Sequence, residues 1–144
     1  MTTSQEQISS FEFRTIDGFI DVYVIPDTRR ATIDEWYEVA LSRRLEAIER
    51  GEHYYSLYET TEGAFPSPYA ISRAKDLTRQ VASKIEESSA MVFSQSIVMT
   101  LVRGLLNRIG SNNRATSRFF NDVDEAVAWL REERARIEAK KPMG

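Results

Sequence analysis

Short runs of β-branched and aromatic residues alternate with longer amphipathic stretches along most of this 144-residue chain. The first two runs, Phe11–Ile16 and Phe19–Ile25, flank Asp17-Gly18, a dipeptide typical of a two-residue β-hairpin turn. After the hairpin, helix-like stretches and strand-like runs follow each other in turn, an order that favours parallel strands joined by helical crossovers. The sequence therefore predicts an α/β fold with a single mixed sheet of about five strands, in which a leading β-hairpin precedes three strand-helix repeats, with four helices in all.

Four stretches have the spacing or the length of an α-helix. The first begins with a capping box formed by Thr32 and Glu35 and ends at Gly51, a residue suited to a left-handed C-terminal position. The third, Ser96–Ile109, is apolar on most of its faces and is expected to be buried, to form an interface or to wall a cavity. The other two begin after Ser67-Pro68 and at Asp122, and the later strand-like runs are His53–Glu59, Ser89–Phe93 and Thr116–Phe120.

The residue content excludes several kinds of chemistry. The chain has no cysteine, which removes disulfides, thiolate metal sites and catalytic thiols. Its single histidine, His53, is accompanied by no nucleophile motif, and no glycine-rich phosphate-binding motif occurs. We therefore expect a non-enzymatic protein with no catalytic residue, no metal and no cofactor, in which His53 lies at the surface or at a strand edge.

Charge and hydropathy bear on partners and location. The net charge of −3 argues against nucleic acid as the main partner, but residues 63–121 carry 8 basic and 3 acidic side chains and can steer an acidic partner or an anion. No stretch approaches the roughly 18 apolar residues of a membrane span, and the first residues lack an apolar signal run. We expect a cytoplasmic protein whose residues 11–138 form one domain between a disordered tail (1–10) and a frayed end (139–144).

Two groups of residues are candidates for binding. The loop after the third strand lies at the predicted carboxyl edge of the sheet, where α/β folds commonly place functional groups, and its hydroxyls are open to phosphorylation or to a ligand. The candidates for partner binding or phosphorylation are Thr60, Thr61, Ser67, Tyr69 and Arg73, with a simple helix-capping role as the alternative for Ser67. The candidates for an apolar ligand pocket between sheet and helices are Trp36, Tyr37, Tyr55, Phe65 and Met99, with a core role as the alternative.

The two ends of the predicted domain resemble a known superfamily. The closing stretch Phe119–Leu130 and the opening hairpin Phe11–Ile25 are similar to the STAS-like fold of anti-sigma-factor antagonists, and most of all to the small bacterial SpoIIAA-like proteins. The resemblance implies a non-catalytic bacterial domain that regulates or binds a protein partner.

The resemblance also bears on how such a domain works. In relatives, a partner kinase phosphorylates a serine at the start of the second helix, the position near Ser67 here, although the family's phosphosite pattern is absent from Glu59–Ser67. SpoIIAA-like proteins have also been considered carriers of apolar ligands, which is the alternative function. The apolar stretch Ser96–Ile109 in addition favours a homodimer.

Overall fold

The computed structural model describes residues 8–60, 67–93 and 115–140. The strands are β1 (Glu12–Ile16), β2 (Ile20–Ile25), β3 (Tyr54–Thr60), β4 (Glu87–Val92) and β5 (Ala115–Phe120). The helices within these ranges are α1 (Arg30–Arg50), α2 (Pro68–Val81) and α3 (Val123–Lys140). The other predicted helix, Ser96–Ile109, lies outside the described residues, and so do residues 1–7 and 141–144 of the predicted tails.

The strands form one sheet in the order β1-β2-β3-β4-β5. β1 runs antiparallel to β2, whereas β2, β3, β4 and β5 pair in parallel. Asp17 and Gly18 both have positive φ angles, 56° and 74°, as a type I′ turn requires, and the backbone N–H of Phe19 donates to the carbonyl of Ile16 at 3.2 Å. The predicted α/β architecture, a single mixed sheet of five strands that opens with a hairpin, is confirmed.

Helices cover both faces of the sheet. α1 and α2 pack on the face that carries Tyr23 and Tyr58, which we call the helix-pair face. α3 packs on the opposite face, the α3 face, where Leu130 meets Ile20 and Leu57. Because side chains alternate between faces and both faces are covered, β3 is buried at every position from Tyr54 to Tyr58.

The predicted start of the first helix was wrong. α1 begins at Arg30, so Thr32 lies inside the first turn, where it is buried, instead of capping the helix. Its Oγ1 accepts a hydrogen bond from the backbone N–H of Ser10 at 3.1 Å, a contact 22 residues away in sequence. Asp27 contacts the backbone just before the helix, where its Oδ1 accepts a hydrogen bond from the backbone N–H of Arg29 at 3.0 Å. A long-range contact has therefore replaced the local capping box.

Other predicted boundaries of helices and strands agree more closely with the structure. Gly51 has a φ of 66° at the end of α1, and Asp122 Oδ2 accepts from the backbone N–H of Glu125 at 3.3 Å before α3, so both predicted caps are confirmed. β4 begins at Glu87, two residues before the predicted start at Ser89, because Glu87 already pairs with Tyr54 of β3. Within the described ranges, no helix has the length and apolar character needed to cross a membrane.

Candidate functional site

The candidates Thr60, Ser67, Tyr69 and Arg73 lie at the carboxyl edge of the parallel strands, where α1 and α2 begin. Ser67 is the N-cap of α2, and its Oγ accepts from the backbone N–H of Ala70 at 3.1 Å, just before Pro68 in the first turn. Thr60 is the last residue of β3, and its buried Oγ1 has no hydrogen-bond partner among the described residues. Of the remaining candidates, Thr61, Phe65 and Met99 lie outside the described residues.

Tyr69 and Arg73 meet the first turns of α1 in a set of side chains that we call the edge cluster: Arg30, Asp34, Tyr37, Tyr69 and Arg73. The Tyr69 hydroxyl donates to Asp34 Oδ1. The guanidinium of Arg30 lies 4.2 Å from the centre of the Tyr69 ring, and that of Arg73 lies 3.6 Å from the centre of the Tyr37 ring. Side chains four apart on one helix are neighbours, so Arg30 and Asp34 of α1 interleave with Tyr69 and Arg73 of α2.

The edge cluster is electropositive. It holds two guanidinium groups and one carboxylate, Asp34, whose Oδ1 lies 3.8 Å from Arg73 Nε. Hydrogen bonding to Asp34 raises the pKa of Tyr69, so the phenol stays neutral and keeps donating. Neither α1 nor α2 has an acidic residue in its first turn, so the positive end of each helix dipole adds to the field.

The aromatic candidates divide between the two faces of the sheet. Trp36 and Tyr37 are buried on the helix-pair face, where the Trp36 indole N–H donates to the Tyr58 hydroxyl at 3.3 Å. Tyr55 is buried on the α3 face, with its ring edge-on to Phe19 at 5.2 Å between centres. The sheet separates Tyr55 from Trp36 and Tyr37, so these three side chains do not line one common pocket.

A buried polar network under α1 was not anticipated from the sequence. Asp21 of β2 is almost fully buried, and its two carboxylate oxygens accept from Arg43 at 2.8 and 3.1 Å. The Tyr54 hydroxyl also donates to Asp21, at 2.7 Å, and in turn contacts the Tyr23 hydroxyl. Burial raises the pKa of Tyr54 and of Tyr23, so both phenols stay neutral donors.

Arg44 is the second centre of this network and is 3% exposed. Its guanidinium donates to the Ala40 carbonyl at 3.2 Å, to the Tyr58 hydroxyl at 3.2 Å and to Glu87 Oε2 at 3.0 Å. The signal that points to such a network is a charged residue at a helix position that should be buried, together with acids at inward positions of the strands beneath that helix. Arg44 and Asp21 fit that description, whereas Glu87 lies two residues before the predicted strand Ser89–Phe93. They lie at the amino ends of the strands, away from the edge cluster.

His53 joins two strands to α3 on the opposite face. Its Nε2 lies 2.9 Å from Ser88 Oγ, which also contacts Glu133 Oε1 at 3.4 Å. Arg136 donates to both oxygens of Glu133, at 2.9 and 3.0 Å. Ser88 is only 1% exposed, so its hydroxyl is closed to a substrate, and the arrangement ties β3, β4 and α3 together. The described residues contain no group of three or more acidic, His or Cys side chains suited to a metal ion.

The pH dependence of stability should reflect His53. Burial lowers the pKa of His53 from 6.5, although Glu86, Glu133 and Glu87 partly oppose the shift. The fold favours the neutral ring, so the stability that His53 contributes is present above pH 6.5 and is lost as the pH falls through the lowered folded value. We expect His53→Gln to weaken the loss of stability between about pH 7 and pH 5, measured by urea unfolding. Parallel pH profiles of the two proteins would contradict this assignment.

Comparisons with protein-family models, with curated proteins and with solved structures find no match for this chain. The class that the described residues define is an α/β domain with one mixed five-stranded sheet and an electropositive cluster where its first two helices begin.

Proposed function

We propose that this chain is a non-enzymatic regulatory or protein-interaction domain that binds a protein partner through the edge cluster. The observation that carries the proposal is the pair of arginines, Arg30 and Arg73, each stacked on a tyrosine ring at the carboxyl edge. Arg30 is exposed and the Arg73 side chain is 28% exposed, so both can reach a partner. Stacking limits the freedom of each guanidinium before binding, which lowers the entropy cost of an interface.

Two of the hydroxyls near the cluster already have hydrogen-bond partners in the fold. Ser67 Oγ already accepts the N-cap hydrogen bond, and the Tyr69 phenol is held neutral by its donation to Asp34. The cluster therefore offers positive charge and donors, which suit an acidic surface. The resemblance to STAS-like and SpoIIAA-like proteins supports the same proposal, with the start of the second helix as the binding region. Phosphorylation of Ser67, the homodimer, the cytoplasmic location and the apolar-ligand alternative stay predictions.

Charge reversal on α2 tests the proposal. Arg73→Glu should weaken binding to a partner captured from a cell lysate by about tenfold or more in a titration of the two purified proteins, because one cation becomes an anion at the interface. Arg79→Glu is the matched control, since Arg79 lies on the same helix, its side chain is 72% exposed, and it pairs only locally with Asp76.

Unchanged partner affinity in the Arg73→Glu protein, or an equal loss of affinity in both variants, would contradict the proposal. Circular dichroism and thermal unfolding of both variants establish that the fold is retained.

A further inference from the structure

We propose that the edge cluster recognises a phosphorylated side chain of the partner protein. This inference rests on the proposed function and names the chemical group that the partner presents.

The guanidinium N–H groups of Arg30 form no hydrogen bond with another described residue. Stacking on the Tyr69 ring is its contact in the cluster, and no hydrogen bond or salt bridge joins it to another described residue. A guanidinium stacked on a ring uses its face, while its five N–H groups point outward in the plane. Arg30 therefore presents a complete hydrogen-bonding edge at the first residue of α1.

Arg73 is also incompletely paired. Its Nε is buried, lies 3.8 Å from Asp34 Oδ1, beyond hydrogen-bond length, and has no hydrogen-bond partner among the described residues. The donors that can meet a ligand are therefore those of the two terminal nitrogens, on a side chain that is 28% exposed. Asp34 meanwhile accepts the Tyr69 hydroxyl on the same oxygen. Asp34, the one carboxylate of the cluster, therefore attracts Arg73 but forms no hydrogen bond with its Nε.

The charge and the number of donors favour a phosphoryl group over a carboxylate. Two guanidiniums against Asp34 leave one positive charge, and Asp27 before α1 is paired with Arg29. The first turns of α1 and α2, which hold no acidic residue, add about half a charge each. A carboxylate carries one charge, and its two oxygens are satisfied by one arginine fork. A phosphorylated serine or threonine carries nearly two charges at neutral pH and presents three oxygens, enough for both arginines.

A titration with small probes tests this chemistry directly. Backbone amide shifts of the ¹⁵N-labelled chain are followed by NMR against N-acetyl-phosphoserine amide, N-acetyl-glutamate amide and inorganic phosphate. We expect shifts in the first turns of α1 and α2, with the phosphoserine probe binding at least about tenfold more tightly than the glutamate probe. Arg30→Gln and Arg73→Gln should each weaken phosphoserine binding by about tenfold, and Arg79→Gln should leave it unchanged.

Equal affinity for the glutamate and phosphoserine probes would overturn the inference, and so would shifts centred elsewhere on the chain. Tighter binding of inorganic phosphate than of the phosphoserine probe would overturn it in favour of a site for the free anion.

A second experiment separates this inference from the proposed function. The chain is used to capture its partner from a lysate treated with a broad-specificity phosphatase, and the result is compared with capture from an untreated lysate. The chain itself is not exposed to the phosphatase. Loss of capture after this treatment supports the inference. Capture that survives phosphatase and still depends on Arg73 overturns the inference and leaves the proposed function standing. Capture that does not depend on Arg73 overturns both.

Discussion

Replacing Arg44 by methionine should lower the free energy of unfolding by about 3–5 kcal/mol, the usual cost of removing one partner of a buried ion pair. The variant keeps most of the side-chain volume but leaves Glu87, whose side chain is 16% exposed, without its cation. It also removes a donor from the Tyr58 hydroxyl and from the Ala40 carbonyl. Urea unfolding followed by circular dichroism measures the change.

Two further variants test whether that loss of stability comes from the buried ion pair. Arg50→Met, at the exposed end of α1, makes the same substitution and should change the stability by no more than about 0.5 kcal/mol. The double variant Arg44→Met/Glu87→Met should recover much of the loss, because a buried ion pair replaced by apolar groups is often neutral in stability. A loss of under about 1 kcal/mol for Arg44→Met would contradict the assigned role of the network.

The network matters for the candidate site because of where it holds α1. Arg43 and Arg44 bind the second half of α1 to Asp21 of β2 and Glu87 of β4. Hydrogen bonds with fixed partners on two strands set the rotation and the position of the helix along the sheet. The same helix carries Arg30 at its first residue. The buried network at the amino edge thus helps to position the edge cluster at the carboxyl edge.

Leu130→Ala should cost about 2–5 kcal/mol of stability, through lost transfer free energy and the cavity left behind. Leu130 is 0% exposed and belongs to the cluster that joins α3 to Ile20, Leu57 and Ala90. For a chain of this size, each kcal/mol lowers the Tm by about 2–4 °C. Differential scanning calorimetry and urea unfolding both measure the effect.

The matched control makes the same substitution at an exposed position. Leu45 on α1 is 47% exposed, so Leu45→Ala should change the stability by about 0.5 kcal/mol or less. Equal losses in the two variants would contradict the assignment of α3 as the cover of its face of the sheet.

At the start of α1, tertiary contacts replace the predicted capping box. Thr32 and Glu35 have the spacing of a capping box, and the signal is local. In the fold, the backbone of Ser10 approaches Thr32, and Asp27 interacts with the backbone before the helix. Tertiary contacts override a local preference worth about 1 kcal/mol when they satisfy the same groups in another way.

The edge cluster was only partly predictable. Tyr69 and Arg73 follow a strand in the first turns of a helix, which identifies them as candidates, whereas Tyr37 was a candidate only for an apolar pocket. Their partners Arg30 and Asp34 gave no such signal, because they belong to another helix and their role depends on how α1 packs beside α2. Tyr54 and Tyr55 must face opposite sides of the sheet because side chains alternate along a strand, but which helix covers each side depends on the packing of the whole domain.

The sequence by itself determined the order of the described strands and helices, the Asp17-Gly18 hairpin and the left-handed end of α1 at Gly51. These features depend on backbone geometry and on periodicity within a few residues, so they can be predicted from a local stretch of sequence. Only the tertiary structure decided which charges are buried as pairs and which arginines stack at the carboxyl edge. Arg44 and Glu87 are 43 residues apart in sequence, and their contact depends on strand register and helix rotation, which are set by packing of the whole domain.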